Sequence, residues 1–81
     1  MKAIKLFRER AGLTQTELAV LVGVAQPHIS RWEHARHQIS DAYLGRIAAA
    51  LNVEPWEVRY AEELIEMRDD ASRAVEEFAA A

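Results

Sequence analysis

Cysteine is absent from the 81 residues, so neither a disulfide nor a thiolate metal site contributes to this fold. No run of about 18 apolar residues exists, so nothing in the sequence is expected to span a membrane. The opening MKAIKLFRER lacks the long apolar core of a secretory signal. These absences predict a soluble, cytoplasmic protein. Chemistry is equally sparse. No nucleophile stands beside a base, and a helical domain this small leaves little room for a catalytic pocket. His34 and His37 lie three apart with His28 nearby, but no third or fourth ligand completes a metal site. The sequence therefore predicts no enzyme, no catalytic residue, no metal and no cofactor.

What is present is a small apolar domain. Hydrophobic residues make up 51%, too many for a disordered chain. A core of this size is marginal, and a docked extra helix or a second subunit would stabilise it considerably. The net charge of −3 hides an asymmetry. Residues 1–53 carry seven Lys or Arg against four acids, whereas residues 54–81 carry three Arg against nine acids. A mildly basic head is joined to an acidic tail, and the local field matters more than the total. An acidic helix repels phosphates, so the tail is expected to point away from any nucleic acid.

The chain is organised around residues 12–35, GLTQTELAVLVGVAQPHISRWEHA. They read as two short helices and a tight turn. Thr14 and Glu17 form a capping box, with Leu13 and Leu18 placed as a hydrophobic staple. Leu18, Ala19, Leu21 and Val22 make an apolar face at helical spacing. Gly23 supplies the positive φ that ends the helix. Val24 is expected to dip into the core, and a second helix to run from about Gln26 to Glu33. Its inward residues are Ile29 and Trp32; Gln26, Pro27, Ser30 and Arg31 face outward.

The rest of the head reads as supporting helices. A first helix is expected from Lys2 to Ala11, with Ile4, Leu6, Phe7 and Ala11 inward and Gly12 as its stop. A fourth starts at the N-cap Ser40, with Asp41 in its first turn. It runs through Tyr43, Leu44, Ile47, Ala48 and Leu51, with Asn52 as a left-handed stop. Val53 packs inward, Pro55 occupies the first position of a fifth helix, and Trp56 covers the bottom of the core. From Pro55 to about Ala79 there is no glycine and no further proline, so this helix is expected to run about 37 Å.

The segments Leu13-Thr14-Gln15-Thr16-Glu17-Leu18-Ala19, Val22-Gly23-Val24 and Ile29-Ser30-Arg31-Trp32-Glu33 resemble the helix-turn-helix of the Cro/repressor (Xre-like) family. With the flanking helices the resemblance covers roughly residues 1–60. It implies an all-α, five-helix repressor-like domain over 1–60, with a C-terminal helical extension over 61–81. It implies double-stranded DNA as the partner and, by analogy alone, a repressor binding a two-fold operator. A small regulator of a phage, a mobile element or a toxin–antitoxin operon fits this description.

The resemblance also assigns roles. The front of the second motif helix enters the major groove, which makes Gln26, Pro27, His28 and Arg31 the base-reading residues. Glutamine suits adenine N6 and N7, arginine suits guanine O6 and N7, and the Pro27 ring suits a thymine methyl group. Gln15, at a helix start, is expected on a phosphate. His34, Arg36 and His37 are expected on the flanking phosphates. Arg8 is expected to pair with Glu33, orienting the reading helix and offering an edge to phosphate. Two residues depart from the family pattern. Ala25 replaces the usual Ser or Thr N-cap, weakening that helix start by roughly 1 kcal/mol. Ala35 stands where Gly is frequent.

The tail carries its own signal. Tyr60, Leu64, Met67, Ala71, Ala74 and Phe78 follow spacings of 4, 3, 4, 3 and 4, the period of a coiled coil. The seam is expected to pair with the same helix of a second subunit. Such a homodimer sets two reading helices about 34 Å apart, one DNA turn. The alternatives are that the seam covers its own core, or that it binds another protein, such as the toxin partner of an antitoxin.

Overall fold

The computed structural model describes residues 1–34 and 39–80. Five helices follow one another among the described residues: α1 (Lys2–Arg10), α2 (Gln15–Val22), α3 (Gln26–His34), α4 (Asp41–Ala50) and α5 (Pro55–Ala80). The all-α reading and the long last helix hold, with ends differing by a residue or so.

Local chemistry sets the boundaries. Thr14 Oγ1 accepts from the backbone N–H of Glu17 at 3.1 Å, and the Glu17 carboxylate accepts from that of Thr14 at 3.0 Å. The backbone N–H of Thr14, and after it the Thr14 hydroxyl, hold the Glu17 carboxyl below the usual carboxylate range. Gly23 closes α2 at φ 85°, in the left-handed region that costs a residue with a Cβ. Asn52 at φ 58° turns the chain out of α4. Ser40 caps α4, and Pro55 opens α5.

Each helix gives at least one fully buried side chain to one core. Ile4 comes from α1, Leu18 from α2, Ile29 from α3, Leu44 and Ile47 from α4, and Val58 from α5. Burial of each contributes roughly 1.5–3 kcal/mol. Met1 and Ala3 are also buried, although the sequence reading passed over both. Phe7, Leu13, Val24, Trp32, Val53, Ala61 and Ile65 pack around this core, partly exposed.

Several residues expected inside are not. Leu6 and Ala11 are exposed, because α1 buries the narrow stripe of Ala3, Ile4 and Arg8. Leu21 is 58% exposed, because α2 turns Leu18, Ala19 and Val22 inward and carries Leu21 to the side. Tyr43 lies at the rim, its ring 5.2 Å from that of Trp32. Trp56 is 64% exposed and does not cover the core, since Val58, two residues on and on the opposite side of the same turn of α5, fills that place.

The start of α5 belongs to the head, and its end leaves it. The Glu62 carboxylate accepts from the backbone N–H of Ala3 at 2.9 Å, at the N-terminal turn of α1. Lys2 pairs with Asp69, and Arg59 with Asp41. From residue 70 to residue 80 every side chain is exposed. The molecule measures 48 × 22 × 22 Å, the long dimension reflecting this projecting helix. No helix among the described residues is long and apolar enough to cross a membrane.

Candidate nucleic-acid interface

The site is built outward from a buried charge. Arg8 of α1 reaches Glu33 of α3 through two parallel hydrogen bonds, Nε to Oε2 at 2.6 Å and Nη2 to Oε1 at 3.2 Å. Arg8 Nη1 donates to the carbonyl of Leu13 at 2.8 Å. The side chains are 11% and 1% exposed. The pair is bidentate and nearly dry, the arrangement in which an arginine fork and a carboxylate bind most strongly. Burial disfavours the Glu33 carboxylate, but hydrogen bonds from Arg8 and Gln15 outweigh it and leave the pKa below its ordinary value. The bond from Glu33 raises the Arg8 guanidinium further above its ordinary value.

The network continues toward the surface. Gln15 Nε2, at the first turn of α2, donates to Glu33 Oε1 at 2.9 Å. Gln15 Oε1 accepts from Gln26 Nε2 at 2.6 Å. A single path therefore runs Arg8, Glu33, Gln15, Gln26, from the core to the front of α3. Because the Glu33 carboxylate only accepts, the Gln15 amide must turn its N–H inward and its carbonyl toward Gln26. Gln26 answers with an N–H. Its own carbonyl and its second N–H remain for a ligand.

Beside Gln26, the residues Pro27, His28 and Arg31 are exposed on the same helix. The His28 ring lies 5.8 Å from the ring of Trp32, which backs it. Arg31 makes no ion pair among the described residues. His34 Nδ1 lies 2.8 Å from the Ser30 carbonyl, one turn back. Arg36 and His37, expected on flanking phosphates, and Ala35 lie outside the described residues. Arg8 is turned inward, placed to hold α3 rather than to face a phosphate. The Gln15 side chain is engaged with Glu33 and Gln26. Sequence reasoning missed this Glu33–Gln15–Gln26 path, because its members lie up to 18 positions apart and carry no local periodicity. Among the described residues, no three His, Asp or Glu side chains cluster to hold a metal ion.

Two short helices joined at the Gly23 turn, the second tied to α1 by a buried ion pair and presenting an open polar front, form a helix-turn-helix. A helix-turn-helix family model matches residues 4–56, and the chain belongs to this Cro/C1-type, Xre-like family. It is a DNA-binding transcription regulator and not an enzyme. Among solved structures it is similar to the clp gene regulator ClgR from Corynebacterium glutamicum. The two share 27% identity with a TM-score of 0.71, over 91% of this chain and 83% of that one. No curated protein sequence matches significantly.

Proposed function

We propose that the chain is a sequence-specific transcriptional repressor that binds a two-fold operator as a homodimer joined through α5. The observation that carries specific reading is the bonded path ending at Gln26. It fixes which atoms of that amide face outward, and a fixed donor–acceptor pair distinguishes base edges. Gln26 reads adenine, Arg31 reads guanine, and Pro27 and His28 contact the neighbouring positions. Backbone N–H groups at the start of α2, with His34, Arg36 and His37, meet phosphates.

Exposure of the seam supports the dimer. Tyr60, Leu64, Met67 and Phe78 are all large, apolar and 47–87% exposed in the single chain. Repression follows from occupancy alone.

Selection of bound oligonucleotides from a random pool tests this reading. A palindrome with half-sites one turn apart is expected, and binding should weaken steeply with salt. Transcription from a promoter carrying the selected site should fall on adding the protein. A pool that yields no enriched sequence would overturn the reading.

A further inference from the structure

The two faces of α5 are separated in the structure. Val58 is buried, and Ala61 and Ile65 pack half-buried on the core. Glu62 and Asp69 on the same face reach α1. The seam from Tyr60 to Phe78 lies on the other side, about 150° around the helix. Trp56 falls on the seam side, four residues before Tyr60, and its 64% exposure is explained by that position. The seam itself spans residues 60 to 78, about 27 Å or roughly two and a half heptads, with Trp56 exposed beside its start.

The charges beside this stripe are not symmetric. One flank carries Glu63, Asp70 and Glu77, an acid every seven residues; the other carries Ala61, Arg68 and Val75. Glu63 and Arg68 stand about 140° apart around the helix, so they cannot meet within one chain. Neither makes an ion pair among the described residues, and Asp70 reaches only Arg73 of its own helix, at 4.0 Å.

We propose that two copies of α5 pair along this stripe in parallel and in register, with Glu63 of each copy against Arg68 of the other. The inference rests on the homodimer reading above and deepens it. In a parallel pair, the flanks that meet across the seam are unlike, so Glu63 finds Arg68 one heptad further along, twice by symmetry. In an antiparallel pair, like flanks meet. The row Glu63, Asp70, Glu77 then faces its own copy, and like charges at that spacing repel. The flanking charges therefore select one direction. Ala71 and Ala74 let the two helices approach closely in the middle, and Trp56, one heptad before Glu63, flanks the end nearest the heads.

The absence of cysteine makes the test direct. Leu64→Cys, Ala71→Cys and Phe78→Cys are made singly in the full chain and oxidised mildly. In the parallel pair each forms a dimer with itself, since equivalent positions face each other within disulfide reach. In an antiparallel pair the two kinds of seam position face each other, so none of the three links with itself, and Leu64→Cys links only when mixed with Ala74→Cys. A charge test runs beside it. Glu63→Arg should weaken association about three- to tenfold by placing Arg opposite Arg. Glu63→Arg with Arg68→Glu should restore it. Linkage only in the mixture, with the full chain still sedimenting as a dimer, overturns the orientation and leaves the homodimer standing. A full chain that sediments as a monomer at high micromolar concentration overturns both.

Discussion

At the scale of single residues, Glu33 has the largest expected effect. Its carboxylate is 1% exposed and accepts from Arg8 and Gln15 together. Glu33→Ala leaves a buried guanidinium without its partner and should cost about 3–5 kcal/mol in urea unfolding. A double-mutant cycle with Arg8→Ala should show strong coupling; additive losses would contradict the pairing. The pH dependence follows from the lowered pKa of Glu33. A depressed carboxyl stabilises the fold fully above its unfolded value and loses that contribution as pH falls through the folded one. Stability should therefore change little on this account between neutral pH and the ordinary glutamate pKa of about 4.3, then fall below it. Glu33→Gln should remove that part of the acid transition. Gln15 carries a subtler expectation. A residue touching only phosphate would weaken all sequences alike. Because Gln15 also fixes the Gln26 amide, Gln15→Ala should additionally relax preference at the base pair read by Gln26. Gln26→Ala and Arg31→Ala should each cost about 1–3 kcal/mol on the selected site, at one base pair apiece.

At the scale of elements, the ends were easier to read than the faces. The Thr14–Glu17 box, Gly23, Asn52 and Pro55 act within one turn of chain, and each stands where local chemistry put it. Gly23→Ala should cost about 1–2 kcal/mol from backbone strain alone, because a Cβ there meets no atom within 4 Å. Thermal unfolding measures it, and an unchanged midpoint would mean that the turn relaxes. Thr14→Ala should cost about 1 kcal/mol through loss of the cap. Faces were misread where apolar residues outnumber the buried stripe. Leu6 and Leu21 fit a helical period as well as their buried neighbours do, and only the packing partner decides which side is covered. Trp56, expected over the bottom of the core, lies outside because Val58 already fills the position. Met1 and Ala3 were missed because their partners are remote in sequence: Ala3 N–H donates to Glu62 of α5, and the Met1 amino group donates to the Trp32 carbonyl of α3. In the site, the outward front of α3 was legible from its polar residues. The path that aims it was not, because it joins three separate helices.

At the scale of the molecule, the head and the tail share one helix. Ile65, Glu62 and Asp69 all lie beyond residue 61, yet they serve the head. A chain ended after Ala61 should thus lose stability by about 1–3 kcal/mol, chiefly from the missing Ile65. A chain ended after Asp70 should melt close to the full chain while sedimenting as a monomer; persistence of its dimer would place the contact nearer the head. Between the turn at Asn52 and Ala80, α5 has neither glycine nor internal proline, so no joint lies between the part fixed on α1 and the part that projects. In the proposed homodimer, two heads paired through such struts have no slack. The regulator then measures its site with a fixed ruler: adding one base pair between half-sites rotates one half about 34–36° out of reach, and adding a full turn restores the angle but not the distance. Operators at either altered spacing should bind no more tightly than a single half-site.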